Sequence, residues 1–102
     1  MGFVDYHGRH IRLTDAQRSH ISFFHPETLI DITKIEATLH EPDLLAQGAT
    51  KDTLIYYKFF PETIVTGKFL AIVVKQLDDE GFIVTAYFTD RIKREAIWRR
   101  ES

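Results

Sequence analysis

Imidazoles, ammonium and guanidinium groups, hydroxyls and phenols can do chemistry without a cofactor, and this chain spaces them suggestively. His20 and His25 fall in "RSHISFFHPE". An imidazole gains or loses a proton near neutral pH, which suits general acid–base catalysis. Each also has a plainer reading as a capping or surface residue, because a helix C-terminus favours a cation. Lys75 lies inside the apolar run "AIVVKQL", and Lys58 inside "YYKFF". Both read either as snorkelling strand residues or as phosphate ligands. The stretch "GFIVTAYFTDRIKR" sets Thr85, Tyr87 and Thr89 on alternate positions and then runs into Arg91, Lys93 and Arg94. A half-buried strand explains the alternation. The cations beyond it fit a solvated tail or a phosphate grip.

Taken together, a histidine, cations, hydroxyls and a tyrosine are the components of RNA phosphodiester cleavage. A base takes the proton from the ribose 2′-OH, the alkoxide attacks the adjacent phosphorus, and an acid protonates the leaving 5′-oxygen. Cations and hydroxyls stabilise the charge on the phosphorane. The nucleophile already sits beside the phosphate, so no metal is required. DNA lacks the 2′-OH and is not cut this way. Other chemistries are missing their parts. The chain has no cysteine, which excludes disulfides, thiolate zinc sites and a Cys nucleophile. His7, His10, His20, His25 and His40 show no metal-ligand spacing, so neither metal nor cofactor is expected. A P-loop, a dinucleotide glycine fingerprint, G-x-S-x-G and H-E-x-x-H are also absent.

Several elements must position these groups. "RHIRLT" alternates as a short strand. "TDAQ" reads as a capping box in which Thr14 accepts from the backbone three residues on. A first helix then runs to about Phe24, with Ile21 and Phe24 inward. Pro26 suits the first turn of a second helix, whose inward residues would be Leu29, Ile32, Ile35 and Leu39. Pro42 ends it. The period then changes to two through "LLAQ", "TLIYYKFF", "KFLAIVVKQL" and "GFIVTAYFT". The expected fold is therefore α+β: two N-terminal helices packed on one face of a four-stranded antiparallel sheet, with room for a short extra N-terminal strand. "DDEG" fits a type I turn with Gly81 left-handed. It would pair Asp78 with Phe82, Lys75 with Thr85 and Val73 with Tyr87. Leu70, Ile72, Val74, Phe82, Val84, Ala86 and Phe88 would then face the helices, and Lys75, Thr85, Tyr87 and Thr89 the open side. Trp98, alone in a charged tail, is expected to dock on the body of the domain.

Composition sets the outer limits. The 102 residues suffice for one domain spanning 1–102, and 44% hydrophobic against 27% charged residues is ordinary globular usage. No apolar run approaches a membrane span, and the N-terminus lacks a signal-peptide core, so a cytoplasmic protein is expected. The net charge of -2 argues against a nucleic-acid coat protein. The cations are concentrated in "RIKREAIWRR", which permits a local basic patch.

"HISFFHPE" with "TLHEPD", then "YYK", "LAIVVK" and "VTAYFTDRIK", resembles the phage- and toxin-associated barnase–EndoU–colicin–RelE-like nuclease families, over residues 13–98. The resemblance implies a RelE/barnase-like domain with metal-independent endoribonuclease activity, often a toxin of a toxin–antitoxin or phage-conflict system. RNA would be the substrate, and an antitoxin or immunity protein the partner. Carried over by position, the resemblance makes His20 or His25 the proton-transfer group and gives Lys75 and Lys58 phosphate roles. It puts Thr85, Tyr87 and Thr89 in the cleft. Which histidine acts as base is left open. Arg91 and Lys93 are expected to grip RNA phosphates. The alternative is a non-catalytic interaction module that binds a protein partner or RNA through the same face, with aromatics from "IYYKFF".

Overall fold

The computed structural model describes residues 1–26, 32–61, 68–93 and 96–99. Two short strands, β1 (Gly2–Val4) and β2 (His10–Arg12), precede helix α1 (Asp15–Phe24) and helix α2 (Ile32–His40). Strands β3 (Leu44–Gln47), β4 (Thr53–Phe60), β5 (Lys68–Gln76), β6 (Glu80–Thr89) and β7 (Ala96–Arg99) follow. They form one seven-stranded sheet in the order β1-β2-β6-β5-β4-β3-β7. β2 runs parallel to β6, and every other pairing is antiparallel.

The α+β character is as expected, but the four-stranded antiparallel sheet is not: the sheet has seven strands and is mixed. Its three extra strands are short and lie at the margins. β1 and β2 have three residues each, with only Phe3 and Ile11 buried, too few to establish a period. β7 is set in the basic segment that read as a tail. Charge on an edge strand is a common protection against pairing with other chains.

Local signals positioned the helices. The hydroxyl of Thr14 accepts from Gln17 N at 3.2 Å, which starts α1. Ile21 is fully buried, whereas Phe24 is 59% exposed, contrary to expectation. The Phe24 ring instead packs on His20, its i−4 neighbour, and on Phe23. α2 buries Ile35 and Leu39, with Ile32 partly covered. Leu29 lies outside the described residues, as do Arg94 and Arg100. The helices cover Leu70, Ile72, Val74, Ile83 and Ala86 of the central strands.

The β5–β6 hairpin differs from the expected register in an instructive way. Asp78 and Asp79 alone make the turn, closed by Leu77 N to Glu80 O at 2.7 Å. Gly81 is not left-handed; among the described glycines only Gly8 has positive φ, at 82°. Gly81 is needed for close packing, since a Cβ there would stand 2.9 Å from Val74 Cγ1 and 3.0 Å from Ile11 Cδ1. Beyond the turn Lys75 pairs with Phe82 and Val74 with Ile83; after a bulge, Val73 pairs with Thr85 and Ala71 with Tyr87. The far half is thus slipped by two residues from expectation, which preserves the faces, and the near half by three, which exchanges them. Thr85, Tyr87 and Thr89 keep the side away from the helices. Ile83, not Phe82 or Val84, enters the core.

That second side is not open as expected. Leu44, Ala46, Ile55, Tyr57 and Ala71 form a buried cluster there, flanked by Phe69, Val73, Tyr87 and Ile92. Ile92 belongs to the segment that leaves β6 on its way to β7 at the far edge.

Candidate functional site

The end of α1 meets β6 at His25. Its backbone N–H donates to Ile21 O at 2.7 Å and closes the last turn, while Pro26 follows. Ile21 anchors the helix in the core, so the cap position is fixed from two directions. The half-buried His25 ring lies 5.7 Å from the Tyr87 ring, tilted by 41°. Thr85 precedes Tyr87 by two positions on the same side of β6. An imidazole, a phenol and a hydroxyl are thereby held near one surface by a helix end and a strand. The other imidazole faces elsewhere: His20 is exposed, with its ring 4.9 Å from Phe24. Phe23 is 78% exposed beside them, so the end of α1 is an aromatic, imidazole-rich knob.

The cations are distributed differently from the sequence reading. Lys75 is on the Thr85 side, but its Nζ stands 3.6 Å from Asp52 Oδ2, both half-exposed. A hydrogen bond from Thr50 holds the Asp52 carboxyl below the usual carboxylate range, and Lys75 adds to this. Along β5, Lys75 is four residues from Ala71, the partner of Tyr87, which at strand spacing is about 13 Å. Lys58 is on the helical side, donating to Glu41 O at 2.9 Å. Lys93 donates to Gln47 O at 2.9 Å and straps the crossing segment to β3. The Thr89 hydroxyl accepts from Arg91 N at 3.0 Å and shapes the turn out of β6. Arg91 itself is exposed, and its guanidinium makes no hydrogen bond or ion pair among the described residues. The structure therefore gathers His25, Tyr87 and Thr85, with Arg91 further along the same chain. It separates Lys58 and turns His20 away.

Beneath the sheet face, Tyr57 lies in the cluster that also supports Tyr87. Burial pushes its hydroxyl pKa up, and Tyr87 adds to the shift. No three His, Asp or Glu side chains among the described residues are grouped to hold a metal. No family model, curated protein or solved structure matches the chain.

Two features escaped the sequence reading. Asp5 is buried in the β1–β2 loop, where its carboxylate accepts from His7 N at 2.9 Å, Arg9 N at 2.8 Å and the Tyr56 hydroxyl at 2.6 Å. "DYHGR", with glycine at the left-handed position, was the available signal. A groove of about 730 Å³ lies between β1 and α2, lined by residues that include Val4, His10, Glu36 and His40. Glu36 and His40, four apart on α2, gave a faint sign of a polar outer face.

Proposed function

We propose that the domain is a metal-independent endoribonuclease that cleaves RNA by attack of the 2′-OH, with His25 as the proton-transfer group. The observation that carries this reading is the position of His25, capped at the end of α1 with its ring against Tyr87. His25 takes the 2′-OH proton, the P–O2′ bond forms as the P–O5′ bond breaks, and solvent water protonates the leaving 5′-oxygen. The Tyr87 phenol and the Thr85 hydroxyl donate to the phosphorane oxygens, and Arg91 supplies positive charge. His20, with Phe23 and Phe24, offers rings for base stacking apart from the scissile linkage. In this reading the activity belongs to a toxin-type or phage-conflict nuclease, held in check by an antitoxin or immunity protein.

The exposed Phe23 and Phe24 also suit the second reading, an RNA-binding module without catalysis. One experiment separates the two. Purified protein is incubated with total RNA in chelator, and the products are examined for 2′,3′-cyclic phosphate ends. His25→Ala is expected to lower cleavage by roughly 10²-fold or more, while His20→Ala stays within about tenfold of the parent. Equal cutting by His25→Ala and parent would remove His25 from the chemistry. RNA binding with no cyclic ends would leave the binding module.

A further inference from the structure

We propose that the groove between β1 and α2 takes an extended, lysine- or arginine-bearing segment of a protein partner, which adds to the sheet as an eighth strand beside β1. This site is independent of the RNA reading, because Thr85 and Tyr87 lie on the side of the sheet away from α2.

The free edge follows from the hydrogen bonding of β1. Leu13 N donates to Met1 O at 2.9 Å, and Asp5 N to Arg9 O at 2.9 Å. Phe3 pairs with Ile11 midway between them. An antiparallel ladder alternates bonded and non-bonded pairs, so Gly2 and Val4 direct their N–H and C=O groups away from β2. β1 ends the sheet. Four backbone groups are thus presented outward on a strand whose Phe3 is locked in the core.

The space beside them is open and walled. Gly2, Phe3 and Val4 line its strand side. Thr33, Glu36, Ala37 and His40 of α2 form the opposite wall of the 730 Å³ groove, with Glu41 at its end, a volume typical of sites that hold small ligands. An edge strand facing a helix across a groove is the arrangement by which sheets capture extended peptides. The strand gives affinity through its backbone, and the helix reads alternate side chains.

Charge selects the occupant. Glu36 of the groove is exposed and has no ion-pair partner among the described residues. Arg9, next to His10, is turned to Leu77 O at 2.7 Å and Glu80 O at 3.2 Å, and Arg12 is held by the Glu80 carboxylate at 3.1 Å. The Glu36 carboxylate therefore favours an ammonium or guanidinium group on the α2 wall.

The test uses the ¹⁵N-labelled full chain and a blocked hexapeptide of alternating valine and lysine, followed by amide shifts and hydrogen exchange. Binding should slow exchange at Gly2 and Val4 and shift α2 around Glu36. Methylating alternate peptide nitrogens removes donors from one edge of the peptide and should weaken binding about tenfold. So should Val4→Pro, which removes an outward N–H without breaking a β1–β2 bond, and Glu36→Lys, which reverses the wall. Peptides methylated on either edge that bind as well as the parent peptide would overturn the proposal. So would no binding, or binding that leaves the Gly2 and Val4 amides unprotected. Protection of those amides by oligouridylate would make the groove a nucleic-acid site instead. Concentration-dependent protection with no ligand would make the occupant a second copy of this chain.

Discussion

The Tyr56–Asp5 contact should give the protein a measurable alkaline instability that one substitution removes. Tyr56 is 1% exposed and donates to Asp5 at 2.6 Å. Burial raises its pKa far above the ordinary value near 10, and the Asp5 carboxylate raises it further. A raised folded-state pKa means that the folded protein keeps this proton at a pH where the unfolded chain has lost it. Stability from this group is complete below pH 10 and falls as the pH rises above it, by about 1.4 kcal/mol per pH unit. At pH 11.5 the accumulated loss is therefore about 2 kcal/mol. Tyr56→Phe cannot lose a proton, so its stability lacks this contribution to the slope. At neutral pH the variant should be weaker by about 2 kcal/mol, because a hydrogen bond to a charged group is lost and a buried carboxylate oxygen is left without its donor.

Together the two effects predict converging curves. Parent and Tyr56→Phe should differ by about 2 kcal/mol at pH 8 and by about zero near pH 11.5. Tyr6 and Tyr57 also have raised pKa values from burial, so both proteins share a further decline. Only the difference between them isolates Tyr56. Urea denaturation at several pH values, with equal slopes on denaturant, measures it. A gap that stays constant from pH 8 to 11.5 would refute the reasoning, since it would mean that Tyr56 ionises alike in the folded and unfolded chains.

Two further changes probe the packing. Gly81→Ala should cost about 1–3 kcal/mol, because its Cβ would press on Val74, Ile11 and the Lys75 carbonyl; a neutral midpoint in urea would show that β2 and β5 can part there cheaply. Trp98→Ala should cost about 1–2 kcal/mol, since its ring stacks on Tyr6 at 5.6 Å and 21°. Amide exchange should quicken in the Asp5–Arg9 loop as well as in β7, and a change confined to β7 would rule out the coupling.

Long periodic segments carried their own signals. β3 falls on "LLAQ", β4 on "TLIYYKFF", and α1 starts at the Thr14 cap. The sides of Thr85, Tyr87 and Thr89 were legible too, because a two-residue slip leaves side-chain parity untouched. What local pattern could not supply was pairing between distant segments. The parallel contact of β2 with β6 joins Ile11 to Gly81, and nothing in "HIR" encodes that partner. The same limit applies to the site. His25 beside Tyr87 follows from a helix end and a strand, but Lys58 and Lys75 were assigned without knowing the neighbours that engage them. Glu41 O and Asp52 are those neighbours.

Charge arrangement fits an acidic chain to the two proposed binding surfaces. The net charge of -2 is a sum over regions that do not interact strongly, because exposed charges are screened beyond about 8–10 Å. Near the Tyr87 surface, the Lys93 ammonium is committed to Gln47 O and that of Lys75 to Asp52. Arg91 is left as the uncommitted cation among Lys75, Lys93 and itself. Across the molecule Glu36 and Glu41 line the β1–α2 groove. On the proposed reading a phosphate chain would meet Arg91 on one side and Glu36 on the other. A basic peptide would meet the opposite. The two ligands would then occupy separate surfaces, and a partner docked at β1 would not block the Tyr87 side by contact alone. Inhibition by such a partner would require it to extend from the sheet edge across β2 and β6 to reach His25.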